Sequence, residues 1–213
     1  MGAAMKFAIS AAKLRHFAPL AAVAVLGLTG CQTMTPGGPN SFSFDPPAQS
    51  PQNRSNVKLR LSTGAQRLYV VEGDKVLLAT PVSVGKSSSP TPHGNFTIYS
   101  KVANRRRASS PGAGYPMTYW MEFAPAYGFH WGFVKPVPAT HGCVRMPLKA
   151  ARKVFELIPS GTPVNIAASQ PWDATVGKSL PRLDDSHLPD PPMSYLLSPQ
   201  VFSDAKLGKM WRC

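Results

Sequence analysis

Apolar and polar residues alternate from Val57 to Leu61, with Lys58 and Arg60 interleaved, which is the two-residue period of a half-buried strand. Gly64 interrupts it. A second strand is predicted over Arg67–Val71, and Glu72-Gly73-Asp74 turns the chain into a third, Lys75–Val84, so the two form a hairpin. Gly85–Pro92 is a Ser- and Pro-containing loop. Alternation resumes over Gly94–Lys101, with Phe96 and Ile98 on one face and Thr97 and Tyr99 on the other. Met117–Phe123 and Tyr127–His130 are further strands with aromatic residues on both faces. Pro147 suits the first turn of a helix, and Leu148, Ala151, Phe155 and Ile158 recur at helical spacing as its buried stripe. Pro159-Ser160-Gly161 ends that helix, and Pro163–Ala167 supplies a closing strand. Many short strands with one late α-helix predict a mainly β fold, a β-sandwich or open barrel, rather than alternating β-α-β order.

The flanks follow different rules. Lys6, Lys13 and Arg15 precede an apolar run from Phe17 to Leu28, too short for the ~20 residues of a membrane-spanning helix. A basic flank, a short apolar centre and small residues after it make a secretory signal over residues 1–30. Its end, Leu28-Thr29-Gly30-Cys31, resembles a bacterial lipoprotein processing site, which implies cleavage before Cys31 and lipidation of that cysteine. An ordinary signal peptide or an uncleaved anchor is the plainer alternative. Gln32, rather than Asp, is compatible with sorting to the outer membrane, so a periplasmic, lipid-anchored protein at the outer rather than the inner membrane is expected. Met5 is as serviceable a start as Met1. Residues 31–56 are rich in Pro, Gly, Ser, Gln and Asn and read as the lipidated cysteine with a disordered tether. The domain proper is 57–167. Residues 168–213 form a Pro-rich extension to which the pattern assigns no element.

Charge narrows the partners. The chain carries +13, and residues 57–167 alone hold fourteen Lys/Arg against four Asp/Glu. Such a field attracts polyanions: nucleic acid, anionic lipid or an acidic envelope polymer. No helix-turn-helix or aromatic-rich RNA-binding strand is present, so nucleic acid is not an expected partner. Arg105-Arg106-Arg107 reads as a solvated loop or a polyanion contact. The three cysteines, Cys31, Cys143 and Cys213, are too few and too scattered for a disulfide framework.

The chemistry concentrates between His130 and Cys143, which twelve residues separate. The stretch ends Thr140-His141-Gly142-Cys143-Val144-Arg145 and offers a thiol nucleophile with two candidate bases. Gly142 lacks a Cβ, which lets a carbonyl approach the backbone, and nearby amides can face a developing oxyanion. A free thiol titrates near ~8.5 and needs help to ionise; a protonated histidine and the basic domain would provide it. Spacing alone does not choose between His130 and His141. The same three side chains could instead bind zinc, though without an obvious fourth ligand.

The whole pattern resembles the L,D-transpeptidase catalytic domain, the YkuD-like family: a histidine, a loop, then Ser/Thr-His-Gly-Cys with Arg two residues on. Pro81–Gly85, Thr91-Pro92-His93-Gly94-Asn95-Phe96, Pro116-Met117-Thr118-Tyr119 and Gly161-Thr162-Pro163-Val164 resemble the family's other landmarks in order. Two features depart from it: the His-to-Cys loop is shorter than in many members, and Trp131 stands where a small residue is common. The resemblance implies Cys143 as nucleophile and His130 as proton donor and acceptor, with Thr140, His141 and Gly142 shaping the pocket and oxyanion site. Arg145 would meet substrate carboxylates or brace the loop, and Met117, Tyr119 and Trp131 would contact substrate, Met117 and Tyr119 having ordinary core packing as their alternative, as has Trp120. It further implies a monomeric peptidoglycan L,D-transpeptidase, needing no cofactor or metal, that takes stem peptides through a Cys143 thioester to a 3-3 cross-link. Resolution by water (a hydrolase), attachment of an envelope protein to the wall, and a non-catalytic wall-binding lipoprotein are the alternatives.

Overall fold

The computed structural model describes residues 1–2 and 39–210. The expected signal segment and Cys31 lie outside the described residues, as does Cys213. The described residues 39–210 belong to one compact unit.

Among the described residues nine strands form two mixed sheets. The first holds β1 (Val57–Ser62), β2 (Arg67–Glu72), β3 (Lys75–Pro81), β4 (Gly94–Thr97) and β9 (Pro163–Ala167) in the order β3-β2-β1-β9-β4. The second holds β5 (Ser100–Arg106), β6 (Pro116–Ala124), β7 (Tyr127–Trp131) and β8 (Val144–Met146) in that order. Within the first, β1 pairs parallel with β9; within the second, β7 pairs parallel with β8; the other pairings are antiparallel. The domain is thus mainly β, as its pattern predicts, with α1 (Leu148–Leu157) as its helix. Both sheets and α1 feed one core: Leu59, Leu61, Val70, Met121, Phe129 and Val154 belong to a single buried cluster. Lys101 Nζ donates to the Phe155 and Ile158 carbonyls at 2.7 and 2.5 Å, a cation at the helix C-terminus where the dipole favours it.

The stretch that reads as one strand over 94–101 is two. At Ile98 the chain leaves the first sheet for the second: Ile98 N–H donates to the Thr162 carbonyl and Tyr99 N–H to the Glu122 carbonyl. Alternation survives the crossing, so a period-2 pattern cannot reveal it. The short strand β8, three residues long, has no period of its own in the sequence.

The C-terminal extension is built onto the domain. Its elements are α2 (Val176–Ser179), α3 (Met193–Leu197) and α4 (Gln200–Lys206). Tyr69, Val71 and Ala79 on the outer face of the first sheet pack with Trp172 and Leu180. This explains why β2 is buried on both faces, unlike β1. The Tyr69 hydroxyl donates to Asp173 at 2.8 Å. On the other side Arg106 donates to the Leu196 and Ser198 carbonyls and lies over the Phe202 ring.

Residues 39–56, expected to hang free as a tether, lie against the domain instead. Asp45 pairs with Lys149 and Lys153 at 3.5 and 2.6 Å, Gln49 N–H donates to the Leu77 carbonyl, and the Gln52 and Asn53 amides donate to Glu72. Composition hides this because backbone amides and single charges, not an apolar stripe, make most of the attachment. Buried Asp185 joins three distant segments, accepting from Ser41 N–H and Oγ (2.8 and 2.5 Å) and from Val134 N–H (2.7 Å). Removing a buried acceptor strands its donors, at about 1–3 kcal/mol for the pair left unmade. Asp185→Ala should therefore lower unfolding stability by about 2–3 kcal/mol, read as a drop in the urea midpoint; an unchanged midpoint would show the clamp to be incidental.

Candidate active site

The cysteine sits on a turn held from three directions. Thr140 N–H donates to the Val84 carbonyl, Lys86 N–H to the Thr140 carbonyl, and Ser83 and Arg145 exchange both backbone bonds. Thr91 Oγ1 donates to the Gly142 carbonyl at 2.9 Å while accepting from Gly85 N–H at 2.9 Å. Thr140 Oγ1 donates to the Cys143 carbonyl at 2.6 Å and accepts from Gly142 N–H at 3.1 Å. Gly142 has φ 108°, and a Cβ there would run into Cε1 of Tyr127. Glycine is therefore required by the turn and by the Tyr127 ring, in addition to any approach of substrate.

His130 lies on β7 beside β8, in register with Arg145. It is buried, and its Nδ1 sits 2.5 Å from the Trp131 carbonyl oxygen. A carbonyl can only accept, so Nδ1 carries the proton and Nε2 keeps the lone pair. Burial, and secondly the Arg145 guanidinium, push its pKa down to about 3, against a smaller upward pull from the Trp131 carbonyl. Burial likewise pushes the Cys143 thiol up, with the Gly128 amide and then Arg145, Arg107 and Arg105 pulling the other way. The thiol donates to the Ala126 carbonyl at 3.5 Å. At neutral pH the pair therefore rests as thiol and neutral imidazole, not as the thiolate and protonated histidine expected from the residue types.

A cavity of about 370 Å³ gathers Cys143, His130, His141, Thr140, Met117 and Arg145. Of the expected site residues, Tyr119 and Trp131 are elsewhere. Trp131 follows His130 in a strand and so points to the opposite face, into the core, where its ring stacks on Tyr115 at 6.4 Å. Tyr119 packs on Phe155 and its hydroxyl reaches the Ala205 carbonyl. The backbone at Tyr119 is left-handed (φ 57°), which breaks the strict alternation, so Met117 and Trp120 line the same cavity. His93 is also apart, with Nε2 2.8 Å from Thr63 Oγ1.

Tyr115 lines this cavity although the sequence pattern gives it no site role, and Arg105, Arg107 and Trp120, which it leaves undecided, line it too. The Trp120 ring lies between the Arg105 guanidinium (4.5 Å) and His130 (5.8 Å), and Glu122 accepts from both Arg105 and Trp120. Arg105 and Arg107 belong to the run of three arginines, the one available signal; the third, Arg106, holds the extension. Among the described residues no group of three or more His, Cys, Asp or Glu is placed to hold a metal ion.

A family model described as the L,D-transpeptidase catalytic domain, YkuD, matches residues 57–166, just over half of the chain. The chain belongs to the YkuD family of L,D-transpeptidase catalytic domains. A relative from Bacillus subtilis strain 168 that carries the YkuD name is 30% identical over 146 residues, covering 66% of this chain and 77% of its own. Its namesake from Bacillus licheniformis is 28% identical over 114 residues, 51% of this chain and 64% of its own. An L,D-transpeptidase from Stackebrandtia nassauensis superposes with a TM-score of 0.49 at 22% identity, over 58% of this chain and 60% of that one. The YkuD domain here thus carries its cysteine, histidine and three arginines around one cavity.

Two outcomes are expected of the site. In Gly142→Ala, left-handed strain adds to the clash with Tyr127, at a cost of about 1–3 kcal/mol; unfolding stability should fall by that amount, and alkylation of Cys143 should change as the turn shifts. For His130, the folded pKa lies below its ordinary value of 6.5, so the unfolded chain binds the extra proton. Its contribution to stability is whole above pH 6.5 and is lost as pH falls towards about 3. Thermal midpoints of wild type and His130→Gln should therefore converge as pH is lowered through that window; a constant gap would contradict a neutral buried His130.

Proposed function

We propose that the domain acts on peptidoglycan as an L,D-transpeptidase with Cys143 as nucleophile and His130 as the group that moves protons. The observation that carries this reading is the meeting of the Cys143 thiol, a buried His130 with its Nε2 lone pair, and the Arg145 guanidinium on one cavity. Arg145 has no carboxylate partner among the described residues, and a stem-peptide carboxylate suits it.

In the first step Sγ attacks the carbonyl carbon joining the third stem residue to the terminal D-alanine. The thiol proton passes to His130 Nε2 and from there to the departing D-alanine amine, leaving a thioester on Cys143. The low proton affinity of His130 makes it a relay rather than a store: the imidazolium is unfavourable when buried beside Arg145, so the proton moves on as the amine leaves. Gly142 N–H is engaged by Thr140 Oγ1, which leaves the amides of His141 and Cys143 as donors to the oxyanion. In the second step an acceptor amine resolves the thioester into a 3-3 cross-link.

The setting is part of the same proposal. A lipid on Cys31 would tie the domain to the envelope, on the outer-membrane side.

Intact mass of the purified protein with a donor tetrapeptide tests the reading. Wild type should gain the mass of the stem less D-alanine, Cys143→Ala should gain nothing, and His130→Ala should acylate at least 100-fold more slowly, on the order of what general acid–base catalysis contributes. His141→Ala should be milder. Equal loss in both histidine variants, or no adduct on wild type, would overturn the assignment.

A further inference from the structure

A cavity of about 290 Å³ has no lining residue in common with the cysteine cavity. Four separate stretches of chain assemble its wall: the turn between β1 and β2, the end of β3, the loop that follows β7, and the extension at Arg182 and Leu183. Gln66 sits in the turn with φ 53°, a left-handed conformation that costs a non-glycine residue and persists only where its surroundings hold it. They hold it through its carbonyl, which accepts from Val82 N–H at 3.0 Å and from Arg67 Nη1 at 3.2 Å. The residue is only 8% exposed, and its Oε1 is buried with no hydrogen-bond partner. A buried acceptor without a donor is a standing cost to the fold.

Three cations line this cavity, Arg67, Lys135 and Arg182, and no acid does. Arg67 directs its guanidinium at carbonyls, those of Gln66, Gly177 and Leu180, and Arg182 reaches the Pro136 carbonyl at 3.4 Å. Among the described residues none of the three forms an ion pair. Asp173 and Asp184, whose fields reach Arg67 and Lys135, are held elsewhere, Asp173 by the Tyr69 and Ser62 hydroxyls and Asp184 by the Ser186 amide. Arg67 and Arg182 repel each other. Like charges gathered on a concave wall without a counter-charge attract an anion. Val82, Val134 and Leu183 add an apolar surface to the same wall.

The wall thus calls for three things at once: a negative group, a hydrogen-bond donor beside it, and a small apolar body. The last residue of a peptide supplies all three, as its carboxylate, its amide N–H and its side chain. A phosphodiester or a sulfate brings acceptors only and leaves Gln66 Oε1 unmet. We propose that this cavity is a docking site for the C-terminal residue of a peptide, separate from the site that holds Cys143. Arg182 and Lys135 take the carboxylate, with Arg67 adding its charge. Gln66 Oε1 accepts the amide N–H after a rotation about its terminal torsion, which is soft in glutamine. Val82, Val134 and Leu183 pack against the side chain. The volume is just below the ~300–1,000 Å³ of sites for drug-sized ligands, so it suits one chain end rather than a long segment. Such an end has two sources, a wall stem that finishes in a D-residue or a protein that finishes in an L-residue. The site forms and breaks no bond, and it stands whether or not Cys143 is a nucleophile. It gives the extension a role in binding, since Arg182 and Leu183 complete a wall that the catalytic domain leaves open.

Amide NMR titration of the full chain tests this with five probes: N-acetyl-D-alanine, N-acetyl-L-alanine, propionate (no N–H), N-acetylalaninamide (no carboxylate) and inorganic phosphate. N-Acetylalanine should shift the amides of Ala65, Gln66 and Val134 and saturate, binding about fivefold more tightly than propionate, the worth of one hydrogen bond. N-Acetylalaninamide should leave those amides unmoved. The enantiomer bound more tightly names the source, D for the wall and L for a protein end, and equal binding supports a site that takes both. Arg182→Gln should weaken N-acetylalanine and propionate alike by about three- to fivefold, the range for one solvent-screened charge. Gln66→Met keeps the length and removes the acceptor; it should lower N-acetylalanine to the level of propionate and leave propionate unchanged. That variant stays folded, because it deletes a buried polar atom that has no partner. No shift at these amides with either enantiomer overturns the proposal. So does propionate or phosphate binding as well as N-acetylalanine, or a preference that survives Gln66→Met. None of these outcomes touches the stem adduct on Cys143, so the transpeptidase reading stands or falls separately.

Discussion

The geometry of this molecule turns on Gly142. Its left-handed backbone is imposed from one side by Tyr127, whose ring leaves no room for a Cβ, and from the other by Thr91 and Thr140, whose hydroxyls bond its carbonyl and amide. With both of its peptide groups spoken for, the turn has little freedom, and Sγ of the next residue is delivered to the cavity that His130 also lines. The parallel pairing of β7 with β8 depends on the same turn, since the chain must leave β7, loop round and return in the same direction within a short span. Replacing the turn would therefore disturb the sheet as well as the sulfur.

Burial then decides the state of the nucleophile. A cluster of arginines near a cysteine suggests an ionised thiol, and each of them does pull that way. Desolvation is the larger effect on both partners: it raises the thiol and lowers the imidazole. Arg145 helps the thiolate but opposes the imidazolium, so it cannot favour a separated ion pair. Protonated thiol and neutral imidazole are mutually consistent under these fields, and a proton then crosses only when an incoming carbonyl carbon is there to take the electron pair. Such a site stays quiet in the absence of substrate, because the thiolate, not the thiol, is the form that oxidants and stray electrophiles attack.

Much of this is legible in the sequence, and the gaps have physical causes. β1, β2, β3, β6, β7, β9 and α1 announce themselves by period, because each buries one regular face or sits between two layers. The break between β4 and β5 does not, since crossing from one sheet to the other preserves alternation. Cys143, His130, His141 and Arg145 meet on one cavity as their types and order suggest. Trp131 does not join them, and the rule that separates it from His130 is simply strand alternation. Tyr119 stays away for a less visible reason: a left-handed residue inside β6 resets that alternation without any glycine to mark it. Residues 39–56 and 168–210 defeat the pattern in another way. They attach through backbone amides, scattered single apolar residues and isolated charges, which have no period to read.

Those two flanks also explain why the domain does not end at its last strand. The outer face of the first sheet is apolar at Tyr69, Val71 and Ala79, and a bare sheet face of that kind would invite association. Trp172 and Leu180 cover it. From there the chain passes Asp185, where it is locked to the loop that leads from His130 to Cys143 and to Ser41 of the N-terminal flank. The extension then lines a cavity that shares Arg107, Tyr115 and Arg145 with the cysteine cavity, and finally packs on the other sheet through Phe202, Arg106 and Tyr119. One continuous segment thus closes an exposed face, braces the loop before Cys143 and walls a second chamber. Loosening it at Asp185 would be felt at all three places, because the same carboxylate holds the N-terminal flank, the loop and the extension in register.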